Sequence, residues 1–230
     1  MKNPINNKAE IIDRNIKKEF KHGEIIIMNL DIPYPEIRLD QKPAVQKHIN
    51  NSYRSTVSQF YKYVSTKLYN DVLKYYKDTV KNGFPFHAYD VVMKYTVTLN
   101  DNCPLSTYFD RYEYTGGAHG NTTRFSDNWD LRTSYHIKMK DLFKRGENYR
   151  RLVLAQILKQ ADINYKENSY LYFENYRELI VKNFNPGSFN LTPTEIAVYY
   201  QQYDIAPYVT GIVVFDISYE SLGRGKLGCV

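Results

Sequence analysis

KPAVQKHINNSYRSTVSQFYKYVSTKLYNDVLKYYKDTVKNG, residues 42–83, carries the strongest periodic signal in the chain. Val45, Ile49, Tyr53, Val57, Tyr61, Val64, Leu68, Val72, Tyr75 and Val80 recur mostly at steps of three or four, the spacing that lines one face of a helix. Asp40 and Gln41 precede Pro43, which suits a proline in the first turn. Asn82-Gly83 supplies the stop. The stretch predicts a helix over 42–81 of about ten turns. That is long for a globular helix, so a kink or break is expected inside it. His48 lies beside the apolar stripe and reads as a surface residue.

The flanks of this helix switch to a two-residue period. Upstream, 9–20 and 24–32 read as two strands joined at Lys21-His22-Gly23, with Ile26, Met28, Leu30 and Ile32 on one face. Ile32-Pro33-Tyr34-Pro35 is expected to break that pairing. Downstream, Tyr89, Val91, Met93, Tyr95, Val97 and Leu99 alternate along 88–99. Asn100-Asp101-Asn102 turns the chain, and 105–115 runs back as a partner. A further strand is expected at about 121–127, then a polar turn at Asn128–Ser134 and a short strand from His136 to Met139.

The second half repeats the mixture. Helices are expected near 147–162, with Leu152, Val153, Ile157 and Leu158 inward, and near 169–184, with Phe173, Tyr176, Ile180 and Phe184 inward. Asn185-Pro186-Gly187 stops the second. Strands follow at 188–192, 195–203 and 208–219. The last is apolar on both faces in its middle and is expected to be central in its sheet. Helices segregated among hairpins give an α+β class, with antiparallel sheets, one long helix in the N-terminal half and two in the C-terminal half. The division expected is 8–125 and 126–222, with 223–230 as a tail.

The 230 residues suffice for a real core. With 43% hydrophobic and 24% charged residues, the composition is that of an ordinary soluble protein. Tyrosine stands out, at 23 residues against 11 Phe and 1 Trp; its apolar ring and polar tip suit half-buried sheets and wet interfaces. The net charge of +6 is spread along the chain, and acidic residues interrupt its densest runs, so no nucleic-acid partner is expected. Cys103 and Cys229 form no metal or redox spacing, and their pairing stays open. No run approaches the ~20 apolar residues of a membrane span, and the N-terminus has no signal-peptide core, so as written the chain reads as cytoplasmic.

No HExxH, GxSxG, phosphate-loop or dinucleotide signature is present, and the five histidines are scattered. No catalytic residue, metal or cofactor is therefore expected. Two loops draw attention. YEYTGGAHGN, residues 112–121, leaves a strand through Gly116 and Gly117 and sets His119 before Gly120 and Asn121. Its glycines read as a tight turn or a close backbone approach. Folding could still bring His119 or His136 to a carboxylate such as Asp127 or Asp130. YDIAPYVTG, residues 203–211, places Pro207 and Tyr208 at a strand end, where an exposed aromatic fits a protein-binding anchor. Gly116, Gly117, His119, Asn121, Pro207 and Tyr208 are the candidate binding residues.

Residues 112–120 (YEYTGGAHG), 136–143 (HIKMKDLF) and 196–215 (IAVYYQQYDIAPYVTGIVVF) also carry a resemblance. The chain resembles the RsiV-type family, which includes ectodomains of RsiV-like anti-sigma factors and the N-terminal module of PdaC-like peptidoglycan deacetylases. The similar part runs from a PdaC-like region at about 8–120 to an RsiV-like region at about 130–220. The resemblance implies an α+β module without catalysis, working at the cell envelope or outside the cell. In RsiV-like proteins it implies recognition of lysozyme. No transmembrane helix or sigma-binding segment of the receptor form is expected here. The leading expectation is thus a non-catalytic binding module for a protein such as lysozyme, or for peptidoglycan glycan. The alternatives are a glycan-processing hydrolase using His119 with a carboxylate, and a cytoplasmic interaction protein.

Overall fold

The computed structural model describes residues 8–101 and 103–225. The chain forms an α+β fold with two sheets. Six strands lie in the order β1-β2-β3-β4-β5-β6 and three in the order β7-β8-β9. Two compact units divide it: Glu10–Tyr95 with Asp110–Thr122, and Thr96–Phe109 with the chain from Thr123. They are called the N-terminal and C-terminal units below.

In the N-terminal unit, β1 (Glu10–His22) and β2 (Ile25–Arg38) form a long antiparallel hairpin, with Gly23 at φ 59° in its turn. The expected break at Pro33 and Pro35 does not occur: Pro33 pairs with Asn15 and Pro35 with Asp13. A proline removes only the N–H on its own side of the strand. The parallel ladder from β2 to β3 (Tyr89–Asn100) ends at Asp31, so beyond that point, among the described residues, β2 has no strand on its second side to deprive. The backbone of Ile37 faces that open side, where Asn50 serves it: Ile37 N donates to Asn50 Oδ1 at 2.8 Å and Asn50 Nδ2 donates to Ile37 O at 2.9 Å.

The long helix connects β2 to β3, which are parallel neighbours. Such a pair needs a crossover rather than a tight turn. It consists of α1 (Pro43–Tyr63), a π-helical stretch at Val64–Leu68 and α2 (Tyr69–Lys81). Ile49, Tyr53, Val57, Val64, Leu68 and Val72 are buried as the spacing requires. Steps of four overshoot the ~3.6 residues of an α-turn, and the wider π turn absorbs the excess. Thr66 Oγ1 donates to Lys62 O at 2.7 Å at the same place, a side-chain competitor for the helix ladder. Phe60 and Thr79 are buried, and Val80 is exposed instead.

Glu36 of β2 is held between Arg54 of α1 at 2.8 Å and Arg14 of β1 at 3.2 Å. The hydrogen bond from Arg54, then that from Arg14, holds its carboxyl below the usual range. A depressed carboxylate stabilises the fold above its unfolded pKa, and that contribution is lost as pH falls through the folded value. Glu36→Gln should therefore cost at most about 1 kcal/mol at neutral pH. The gap from wild type should close in acid denaturation series as the pH falls below about 4.

In the C-terminal unit, α3 (Tyr149–Glu167) and α4 (Tyr176–Asn183) pack with β7 (Phe189–Leu191), β8 (Glu195–Tyr200) and β9 (Val213–Ser218). Val153, Ile157, Ile180, Phe189, Tyr200 and Phe215 belong to one buried cluster. The second helix is shorter than expected: a 3-10 turn at Ser169–Leu171, the extended Tyr172 and a turn in which Tyr176 N donates to Phe173 O precede α4. Leu152, expected inward, is exposed. β9 is an edge strand and β8 the central one. Val214 and Asp216 face outward from β9, so its second apolar face was misleading.

The turn expected at Asn128–Ser134 begins later. β4 spans Pro104–Tyr114, and β5 runs from Asn121 to Asp130 before the short β6 (Tyr135–His136). Asn128 and Asp130 are buried. Their polarity is used internally. Ser106 Oγ donates to Asn128 Oδ1 at 2.6 Å and accepts from Leu191 N at 2.8 Å. Asn128 Nδ2 and Ser126 Oγ both donate to Phe189 O, at 3.0 and 2.6 Å, and Thr98 Oγ1 donates to Leu191 O at 2.7 Å. Side chains thus replace a neighbouring strand along one edge of β7, meeting the requirement that buried backbone groups be paired. Asp130 binds Arg132 through a close ion pair of 2.6 Å. Cys103 is buried, and Cys229 lies outside the described residues.

Candidate functional site

The TGGAHG turn belongs to the N-terminal unit. Gly116 has φ 81°, and a Cβ there would lie 2.8 Å from the Tyr75 ring; a Cβ on Gly120 would lie 2.4 Å from the Tyr112 ring. These glycines are explained by left-handed backbone and close ring packing. A Cβ on Gly117 would meet only an ordinary contact, with His119 O at 3.9 Å. His119 is exposed, with Nδ1 3.1 Å from Gly120 O, and Asn121 is the exposed first residue of β5. Gly116→Ala combines a forbidden φ with an overlap. It should cost about 1–3 kcal/mol, read as a lower denaturant midpoint with an unchanged slope.

Pro207 and Tyr208 belong to the C-terminal unit, in the loop between β8 and β9. The loop is held from beneath. Ile205 and Ala206 are buried, Phe173 N donates to Ile205 O at 3.1 Å, and Asn183 Nδ2 donates to Asp204 O at 2.6 Å. Asp204 caps the Gln201 N–H at 2.8 Å. Gln201 in turn exchanges two hydrogen bonds with the Arg124 backbone, at 2.7 and 2.8 Å. Tyr203 is held at φ 67°, a conformation costly for a bulky residue, and Gly211 at φ 73°, ψ −146°, where little but glycine fits.

The outer surface of that loop is apolar. Val209 is 88% exposed and Tyr203 51%, and the Tyr203 and Tyr208 rings lie 6.0 Å apart. Thr210 Oγ1 donates to Leu171 O at 3.0 Å, which brings in the adjoining turn and its Tyr170, 86% exposed. Pro207 is the extended residue that opens the short 3-10 turn Tyr208–Thr210. Of the two sequence-chosen loops, this one presents exposed aromatic and apolar side chains on a fixed backbone. Tyr170 lay outside the candidate stretch, and Tyr203 and Val209 lay inside it without being named. Tyr170 was assigned to a helix that begins later, and Tyr203 to a strand that ends earlier.

The imidazole–carboxylate contact in the C-terminal unit is made by His136, whose Nε2 lies 3.1 Å from Asp127 Oδ1. The Trp129 ring meets His136 edge-on at 4.9 Å. Among the described residues, no three His, Cys, Asp or Glu side chains are grouped so as to hold a metal ion. No described helix is long and apolar enough to cross a membrane.

Two family models match the chain one after the other, and the first spans Thr96–Phe109 of the C-terminal unit as well. Residues 22–122 match the model described as "Deacetylase PdaC", and residues 140–220 match "Protein of unknown function (DUF3298)". The chain is thus similar to the first model in one stretch and to the second in the stretch that follows. Solved DUF3298 structures share its fold from end to end. A Bacteroides fragilis member aligns with a TM-score of 0.71 at 19% identity, covering 97% of this chain and 96% of its own. A Pseudomonas aeruginosa member aligns at 0.61 and 16% identity, covering 96% of each chain. No protein of curated function matches significantly. The DUF3298 region contains the 203–211 loop, and the PdaC region contains TGGAHG.

Proposed function

We propose that this PdaC–DUF3298 chain is a non-catalytic binding module of the bacterial cell envelope, and that it engages a protein partner through the 203–209 loop. The carrying observation is the cluster of Tyr170, Tyr203, Tyr208 and Val209, set outward on backbone that buried neighbours hold in place. Exposed aromatics at fixed positions bury large apolar area at little entropic cost and commonly dominate binding energy. A backbone already fixed avoids the ordering cost that weakens flexible binders. The description of a deacetylase belongs to the matched family model; the reading for this chain is recognition.

The resemblance to RsiV-type ectodomains makes c-type lysozyme the first partner to try. Capture on immobilised lysozyme, run beside co-sedimentation with purified peptidoglycan, tests the reading. Retention on lysozyme supports it. Co-sedimentation alone would replace a protein partner with a glycan. Retention by neither at about 100 µM would remove both.

A further inference from the structure

A cavity of about 280 Å3 in the C-terminal unit lies apart from the residues of the 203–209 loop. One wall is the segment 136–140. Along it Ile137 and Met139 are buried while His136, Lys138 and Lys140 alternate outward. The other walls are Tyr149, the Pro186-Gly187 turn and Phe189. The volume is at the lower edge of the ~300–1,000 Å3 usual for small-molecule sites, and the interior is apolar as such sites are. The charged residues of the lining are of one sign, Lys138 and Lys140. No carboxylate belongs to the lining. Asp127 faces His136, and Asp141 is taken up by the Tyr135 hydroxyl and the Lys138 N–H. Among the described residues neither Lys138 nor Lys140 forms an ion pair.

We propose that this cavity binds a small amphipathic anion. Its aromatic or aliphatic body sits against Met139, Tyr149 and Phe189, and its carboxylate lies at the mouth facing Lys138 and Lys140. An apolar lining alone would accept a neutral ligand equally well. The two lysines make the preference anionic, since opposite charge at a partly desolvated mouth gains more than it does in open water. This site does not depend on the protein-binding reading, and it survives if that reading fails.

Trp129, the chain's single tryptophan, reports on the site through its edge contact with His136. Titration with 4-phenylbutyrate, followed by tryptophan fluorescence and calorimetry, should saturate. The neutral 4-phenylbutanol should bind about five- to tenfold more weakly, and Lys138→Ala/Lys140→Ala should weaken phenylbutyrate by a similar factor at unchanged thermal midpoint. Both lysines are exposed, so the variant retains its core. Absence of saturation at about 10 mM, equal affinity for acid and alcohol, or an unaffected double variant would each overturn the proposal.

Discussion

Asn128→Ala is expected to destabilise the C-terminal unit by about 2–3 kcal/mol. Asn128 is 1% exposed, accepts from the Ser106 hydroxyl and donates to the Phe189 carbonyl of β7. Its removal leaves the Ser106 hydroxyl without its 2.6 Å acceptor and opens a side-chain-sized gap no water fills without partners. A buried donor left unpaired costs about 1–3 kcal/mol, and the gap adds to it. Ser126→Ala is the informative control. Phe189 O also accepts from Asn128, so the carbonyl stays paired and the loss should be nearer 1 kcal/mol. Chemical denaturation of the two variants checks the ranking. Equal effects would mean that the side-chain edge along β7 is no more than additive decoration.

The largest effect on binding is expected from Tyr203→Ala/Tyr208→Ala/Val209→Ala. Central aromatic anchors cost about 2 kcal/mol or more each on truncation, without adding fully. The triple variant should therefore lose at least about 30-fold in affinity, a difference of roughly 2 kcal/mol. Tyr203 occupies a positive φ and is exposed, so its truncation removes contact area without opening the core. Thermal unfolding of the variant should stay close to wild type, which separates lost contact from lost fold.

The long helix and most strands were legible because their signal is local. Ile49, Tyr53, Val57, Val64, Leu68 and Val72 repeat at helical spacing, and 89–99 alternates as a strand. What failed depended on neighbours far along the chain. Pro33 and Pro35 look like breakers until it is known that the β2–β3 ladder ends at Asp31 and Val92, before it reaches either proline. Asn128 and Asp130 look like turn residues until Ser106, Phe189 and Arg132 are seen to pair with them. β9 looks central because Val214 is apolar, yet that side chain faces outward.

The site was legible to the same extent. The positive-φ reading of TGGAHG holds for Gly116 at φ 81°, and close packing holds for Gly120 against the Tyr112 ring, while Gly117 shows neither. Pro207-Tyr208 was found from its position at a strand end. Tyr170 lies outside that stretch and joins it only through the Thr210–Leu171 hydrogen bond. The His136–Asp127 contact was one of several imidazole–carboxylate pairings the sequence allowed, and spacing could not choose among them.

Calorimetric titration of c-type lysozyme into the wild-type chain and the Tyr203→Ala/Tyr208→Ala/Val209→Ala variant tests recognition through the 203–209 loop most directly. The account predicts saturable binding to the wild-type protein and at least about 30-fold weaker binding to the variant. Equal affinity for both chains would contradict it.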